Sequence, residues 1–349
     1  MFEGFPFIVG WELTLACNLG CAHCGSSAGI ARKGELSLKE ALCVSDQFSD
    51  LLVQEVNFTG GEPLMYPGWD TLAKRLVARG MAVKILTNGL LLSRDTVSQM
   101  KDVGISGVGV SIDGPKRTHD SIRRRPGSFA AAIRGVEYAL KKNLAVTVIT
   151  TVNALNVDEL SLLGDILVSS GIERWQVQPL FPLGRGSSSD MLHLSDNAYC
   201  RFGEFVRAVM TENTFPQLEF LPGDSFGYFT DYDVRQPPWR GCPAGLCSVG
   251  ITSDGKVKGC LSLPDEVTEG DLRRKDLWTI WFSPESFPYT RNYSREKLGP
   301  NCALCDKADD CRGGCSAMSY GSTGRFRNDP YCFYRIRSRE SSAVQTASG

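Results

Sequence analysis

The sequence predicts an α/β fold, six strand–helix units followed by a small cysteine-rich C-terminal domain. Three observations carry this. Short β-prone apolar runs alternate with amphipathic helical stretches through the first half of the chain, the period of a β/α wind with parallel strands. That pattern stops at Leu183-Gly184-Arg185-Gly186-Ser187-Ser188-Ser189. Beyond it, Cys242, Cys247, Cys260, Cys302, Cys305, Cys311, Cys315 and Cys332 crowd the last third. An open wind and a partial barrel both satisfy the periodicity. In either one, ligands belong at the C-terminal ends of the strands.

Ile8 to Leu15 is the first strand, buried and ending at a cysteine loop. Ser37 caps a helix that starts at Leu38, carries Glu40 in its first turn and runs into the fifties. Val56-Asn57-Phe58 is a short strand leading into Thr59-Gly60-Gly61-Glu62-Pro63. A helix from Trp69 to Arg79 and a strand from Ala82 to Thr87 follow, closed by Asn88-Gly89. Then come a helix from Ser93 to Lys101, a strand from Val108 to Ile112 and a helix from Ser128 to Lys142. The last strands, Ala145 to Val152 and Arg174 to Leu180, flank a helix from Val157 to Ser169. The Gly/Ser run after Leu183 reads as a flexible loop. One further helix is expected between Ser195 and Thr211, and Leu221 to Arg240, with Gly, Pro and aromatics but no period, as a linker at the barrel mouth. The expected division is a barrel over 1–190, a bridging segment over 191–240, a cysteine-rich domain over 241–335 and a disordered tail over 336–349.

Composition narrows the function. A formal net charge of -1 provides no global field for nucleic acid. No apolar run approaches the roughly 18–20 residues that span a bilayer. Met1-Phe2-Glu3-Gly4 has no basic n-region and no cleavage site. Thirteen cysteines in a chain without an export signal point to metal or redox ligands in a reducing cytoplasm rather than to disulfides.

The chemistry centres on Cys17-Asn18-Leu19-Gly20-Cys21-Ala22-His23-Cys24. A tight loop can turn three thiolates spaced in this way onto one iron–sulfur cube. Cubes usually take four Cys thiolates, so three leave one iron open to a group that is not protein. A zinc knuckle is the competing assignment, but zinc favours two ligand pairs in a closed tetrahedron, and no fourth ligand follows nearby. His23 offers a donor whose adjacency to Cys24 would strain the loop. The Cys-x3-Cys-x2-Cys loop resembles that of the radical S-adenosylmethionine (SAM) superfamily. The resemblance favours a partial (β/α)6 barrel of TIM type. It also implies that SAM chelates the open iron through its amino and carboxylate groups and is cleaved to a 5′-deoxyadenosyl radical.

The same resemblance assigns the groups that hold SAM. Gly60-Gly61-Glu62 matches the family's GGE motif: two glycines allow close backbone approach, and Glu62 offers a carboxylate to an ammonium. Ser111 and Asp113, where the fourth strand ends, match the place that receives the ribose diol. Arg123, first of Arg123-Arg124-Arg125, is assigned to the SAM carboxylate; the other two form a solvated basic patch or meet an acidic substrate. Leu180 matches the adenine contact made by backbone, and a core leucine is its alternative. His23 stands where the family places an aromatic or His near adenine.

The C-terminal cysteines resemble the SPASM extension of radical SAM enzymes, which holds two auxiliary 4Fe–4S clusters. The resemblance gives Cys242, Cys247, Cys260 and Cys315 to one cube and Cys302, Cys305, Cys311 and Cys332 to the other. With the first, that makes three 4Fe–4S clusters. Two structural zinc sites are the alternative, since Cys302-x2-Cys305 has zinc-like spacing. Lys256-Val257-Lys258 after Asp254-Gly255 forms a hairpin carrying Cys260. Cys43 and Cys200 lie outside both sets and are expected to be small buried residues.

The resemblance implies an oxidoreductase that modifies a short ribosomal precursor peptide, by cross-linking it, with a flavodoxin- or ferredoxin-type electron donor. The barrel begins almost at Met1, so a separate recognition protein or direct binding of a small peptide is expected. Leu261 stands where sulfatase-maturing members carry an Asp, which argues against formylglycine formation. Asp265 and Glu266 are candidate bases, and Phe226 to Tyr232 a candidate lid. The alternative substrate is a small metabolite: a porphyrin-type tetrapyrrole, a sugar or a quinone precursor. A non-catalytic electron carrier is the third reading, and it would have no use for a grip on SAM.

Overall fold

The computed structural model describes residues 4–228 and 240–338. Seven strands run parallel in chain order: β1 (Ile8–Thr14), β2 (Glu55–Gly60), β3 (Ala82–Thr87), β4 (Gly107–Ser111), β5 (Ala145–Val152), β6 (Arg174–Pro179) and β7 (Glu219–Pro222). Helices α1 (Leu38–Asp46), α2 (Trp69–Val77), α3 (Arg94–Asp102), α4 (Lys116–Ile122), α5 (Ser128–Lys141), α6 (Leu160–Ser169) and α7 (Asp196–Glu212) connect them. Three more strands, β8 (Ser248–Ile251), β9 (Lys256–Lys258) and β10 (Gly270–Asp271), extend the sheet beyond β1. β8 pairs parallel with β1, while β9 and β10 add as antiparallel strands. The short helices α8 (Leu277–Trp281), α9 (Pro288–Arg291), α10 (Ala308–Cys311) and α11 (Ser316–Thr323) complete the C-terminal domain.

The strands alternate by residue, as a pleated strand must. Val9, Trp11, Val56, Phe58, Val83, Ile85, Val108, Val110, Val148, Trp175 and Val177 are buried in the core. Edge-on ring contacts of Trp11 with Phe48 and Phe58 pack β1 against β2 and the turn after α1, and those of Trp175 with Phe205, Phe215 and Phe220 pack β6 against α7, β7 and the loop between them. The opposite set, including Asn57, Thr59, Lys84, Gly107, Gly109, Thr147 and Gln176, lines a cavity. TIM barrels fill this space with layers of branched side chains. Here glycine and polar residues leave it hollow.

Several elements differ from expectation. α1 stops at Asp46, because the segment that follows turns back through successive reverse turns instead of continuing the helix. The sequence does not predict α4, nor β7, which pairs with β6 inside the expected bridging segment, nor β10 and the short helices α8 to α11 of the C-terminal domain. The Gly/Ser run is an ordered 3-10 turn at Gly184–Ser188. Cys43 is exposed rather than buried. Ile336 is buried and its amide donates to the Cys332 carbonyl, so packed chain continues past the expected boundary at 335. Most of the expected lid and the tail from 339 lie outside the described residues; Phe226, which is described, is a buried core ring. Among the described residues no helix is long and apolar enough to cross a membrane.

Candidate active site

The cysteine loop leaves the end of β1 and is tied at several points. The Cys17 amide donates to the Gly29 carbonyl at 3.1 Å, and the Ala22 amide donates to the Ile122 carbonyl at the end of α4 at 2.9 Å. Arg185, in the 3-10 turn after β6, makes three more ties. Its amide donates to the Cys24 carbonyl (3.0 Å), its Nε to the Cys21 carbonyl (2.8 Å) and its Nη1 to the Ala28 carbonyl (2.8 Å). Gly184 lies so close that a Cβ there would sit 2.3 Å from the Gly25 oxygen. A run that looked mobile is therefore a clamp.

Two donors point at the thiols. Asn88 Nδ2 is 3.8 Å from Cys17 Sγ, and Arg123 Nη1 is 3.8 Å from Cys21 Sγ. Burial raises the Cys17 and Cys21 thiols above their ordinary range, and the Arg123 charge opposes this at Cys21. Cys17, Cys21 and Cys24 all line one end of a cavity of about 800 Å³, inside the usual range of roughly 300–1,000 Å³ for a ligand site.

Gly60 and Gly61 lie on the same wall. Their bareness is required: a Cβ on Gly60 would fall 2.3 Å from the Thr14 oxygen, and one on Gly61 2.2 Å from the Ala16 oxygen. The Gly61 and Glu62 amides donate to those same carbonyls, so this turn is welded to the entry of the cysteine loop. Glu62 faces away from the cavity and is fully buried. It accepts from Leu64 N, Thr87 Oγ1 and Asn88 N, and burial pushes its pKa up to about 7. Its carboxylate therefore braces the wall from behind through protein donors.

Ser111 and Arg123 line the cavity. Asp113 does not, since it has no exposed surface and its oxygens are engaged by Arg123 Nε (2.6 Å), His23 Nε2 (3.1 Å) and the Thr151 amide (3.1 Å). Burial would raise its pKa, but the Arg123 guanidinium and the contact with His23 hold it far below the ordinary carboxylate range. Asp113 thus orients His23 and Arg123. Its backbone N–H meets His119 Nδ1, and burial lowers His119 to about 4, so that ring is a neutral acceptor. Leu180 donates its amide to the Val152 carbonyl and lines a vestibule of about 220 Å³ with His23, Thr59, Gln178, Phe181, Leu183, Leu261 and Glu12. The vestibule shares His23, Gly25, Thr59, Gly60, Thr151 and Gln178 with the main cavity, so the two are continuous.

Asp265 is held in an ion-pair chain. Arg32 donates to it (2.6 Å) and to the buried Glu12 (2.7 Å), and Lys258 donates from the other side (3.0 Å). These partners lower its pKa against the effect of burial, so Asp265 is a poor candidate base. The chain of pairs joins the barrel to the cysteine-rich domain.

The C-terminal cysteines segregate by neighbourhood. Burial raises the Cys315 thiol well above its ordinary value, and its neighbours include Cys242 and Cys260. Cys302 is pushed up to about 12 by burial, beside Cys332 and Cys305; Cys311 is raised by burial beside Cys332 and Cys302. Cys315 thus faces Cys242 and Cys260, although Cys311 is only four positions away in sequence. Cys247 is exposed in the turn just before β8. Asp329 stands between the two groups. It is 1% exposed, its Oδ1 accepts the Tyr331 amide, its Oδ2 has no partner, and burial raises its pKa to about 8. Among the described residues no three His, Cys, Asp or Glu side chains converge on a point that one metal ion would occupy. The donor chemistry fits cubes, which take thiolates spread around four irons.

Arg185, Asn88, Gly184 and Asp329 escaped the sequence reading. Asn88 alone had a signal there, since it directly follows a strand at the ligand-binding end.

Comparison with known proteins agrees with this geometry. The profile of the radical SAM superfamily matches residues 11–163, and that of the SPASM iron–sulfur cluster-binding domain matches residues 242–306. The chain is 30% identical to an AdoMet-dependent heme synthase of Methanosarcina barkeri, over 95% of this chain and 97% of that protein. It is 36% identical to an Fe-coproporphyrin III synthase of the same organism, over 93% and 87%. It is 28% identical to the mycofactocin maturase MftC of Mycobacterium ulcerans, over 90% and 84%. Streptococcus suis SuiB bound to S-adenosylmethionine superposes with a TM-score of 0.75 at 19% identity, over 94% of this chain and 77% of that one, which shows a shared fold. A hollow partial barrel, three cysteines at its mouth and a cysteine-rich domain built onto its sheet belong together: this chain is a member of the radical SAM superfamily, an enzyme with a SPASM domain that uses SAM and iron–sulfur chemistry.

Proposed function

We propose that Cys17, Cys21 and Cys24 ligate the SAM-binding 4Fe–4S cluster, and that two auxiliary clusters are held by Cys242, Cys247, Cys260 and Cys315 and by Cys302, Cys305, Cys311 and Cys332. The carrying observation is the convergence of the three thiols, the bare Gly60–Gly61 backbone and the Arg123 guanidinium on one end of one cavity. When bound, the cluster and SAM supply a 5′-deoxyadenosyl radical that removes a hydrogen atom from an unactivated carbon. Gly60 and Gly61 give SAM close access to the backbone, while Arg123 and Ser111 meet its carboxylate and ribose. Asp113 and Glu62 hold that wall in shape from behind. Leu180 bounds the vestibule through which substrate approaches.

The substrate we assign is a porphyrin-type tetrapyrrole. Support comes from the two Methanosarcina relatives, whose names end in tetrapyrrole products and which match this chain nearly end to end. A short precursor peptide is the second reading, favoured by the mycofactocin maturases. One experiment separates them. The protein is reconstituted anaerobically and given SAM and dithionite, with either iron coproporphyrin III or a short peptide encoded beside its gene. Mass spectrometry follows 5′-deoxyadenosine and each candidate substrate. A lighter porphyrin formed in step with deoxyadenosine is the expected result. A peptide lighter by hydrogen transfers the assignment to the second reading, and absence of deoxyadenosine refutes the cluster assignment.

A further inference from the structure

The outer face of α4 carries a cluster of cations with nothing to neutralise it. Lys116, Arg117, Arg124 and Arg125 are exposed, and none forms an ion pair among the described residues. Arg124 adopts a left-handed φ of 53°, and the turn it makes follows directly on the C-terminus of the helix. The one acid in the segment, Asp120, is occupied: its oxygens accept from the Gly127 and Phe129 amides and from Ser128 Oγ. Several surface arginines elsewhere in the chain are paired with acids. Arg75 and Arg79 hold Asp46, Arg174 holds Glu219, Arg201 holds Asp158, and Arg273 holds Glu40. A net charge of -1 makes this unpaired cluster a local excess, not a reflection of composition.

The inner side of the same segment touches the cysteine loop. The Ile122 carbonyl accepts the Ala22 amide at 2.9 Å, and Arg123 reaches Cys21 Sγ. The cationic surface is therefore one residue along the chain from a side chain that contacts a cluster thiol. Gly20, at the tip of the loop, is exposed.

We propose that this face of α4 is the docking surface for an acidic one-electron carrier protein that reduces the cluster at Cys17, Cys21 and Cys24, an inference that rests on the cluster assignment above. In the step one electron leaves the carrier and enters the cluster, and no bond forms or breaks. Complementary charge raises the encounter rate and orients the partner, and its effect fades with salt.

The test uses the full chain with its clusters in place and the fourfold variant Lys116→Glu, Arg117→Glu, Arg124→Glu, Arg125→Glu. Reduced flavodoxin of strongly negative charge is the protein donor and dithionite the chemical one. With flavodoxin at low salt, the rate of cluster reduction, followed by EPR, falls by roughly ten-fold or more, and flavodoxin binding weakens in parallel. With dithionite, deoxyadenosine formation is unchanged, which also shows that the variant is folded and loaded. The double variant Lys141→Glu, Lys142→Glu on α5 behaves as wild type with both donors. Equal rates with flavodoxin for the fourfold variant and wild type overturn the proposal. So does a raised substrate KM with dithionite, which would make the patch a substrate surface. Failure of wild type itself to cleave SAM with dithionite overturns the cluster assignment instead.

Discussion

The two cysteine regions handle their thiols in opposite ways. Cys17, Cys21 and Cys24 stand at the end of a strand and look into a large cavity. The C-terminal thiols stand among short helices and turns, with Cys311 and Cys315 buried, Cys247 exposed and a small pocket beside Cys242. The first loop is held from outside by Arg185, Gly61 and α4. The second set is held by its own chain, with Asp329 wedged between the groups. The contrast teaches that the number of thiolates matters less than what faces them. Three thiols on a cavity leave room for a reacting molecule, and a packed set has room only for its own irons.

The largest test of that contrast separates the two regions by function. Replacing Cys17, Cys21 and Cys24 by Ala should abolish deoxyadenosine formation. Replacing Cys302 and Cys305 by Ala should lower iron content yet leave deoxyadenosine formation measurable while product is lost. Complete loss of SAM cleavage in the second variant would erase the distinction. Gly61→Ala comes next, because its Cβ would collide with a backbone oxygen that has nowhere to go. We expect a cost of about 4 kcal/mol, seen as a large drop in the anaerobic melting temperature. Gly171→Ala, with φ of 71° and no atom within 4 Å, should cost only about 1 kcal/mol.

Glu62 sharpens the comparison through pH. Its folded pKa of about 7 lies above the ordinary 4.5, so the folded chain binds this proton more tightly than the unfolded one. Stability should therefore fall as pH rises from 4.5 towards 7 and stay level above that, with a full span of about 3 kcal/mol. In Glu62→Gln the fall over this window should shrink in melting curves. An unchanged profile would mean that Glu62 is ionised and satisfied in the fold. Arg185→Ala should cost about 2 kcal/mol through two lost charge-assisted hydrogen bonds. Iron loading of the first loop should fall and its EPR signal broaden, with partial rescue in Arg185→Lys. The auxiliary signals should not move.

What could be read in the sequence was local. The cysteine spacing, the Gly-Gly-Glu turn and the strand–helix alternation are set by neighbouring residues, and each sits where the wind predicts. What escaped reading depends on contacts between distant segments. Arg185 and the loop it clamps are far apart in the chain, and glycines beside it suggested freedom where Gly184 instead permits close contact. Asp113 and Glu62 are acids whose types suit a ligand, yet side-chain direction turns both behind the wall. β8 is four residues long and weakly apolar, so only its partner β1 makes it a strand.

That pairing has a consequence for how the enzyme can be cut. β1 is flanked by β2 on one side and by β8 on the other, so the SPASM strand occupies what would be the barrel's bare hydrogen-bonding edge. A truncation that removes everything after residue 240 would leave β1 with open amides and carbonyls and uncover Gly10 against lost Leu261. Such an edge recruits other chains. The radical-generating half would aggregate when expressed alone, so this architecture has to be inherited and engineered as a whole.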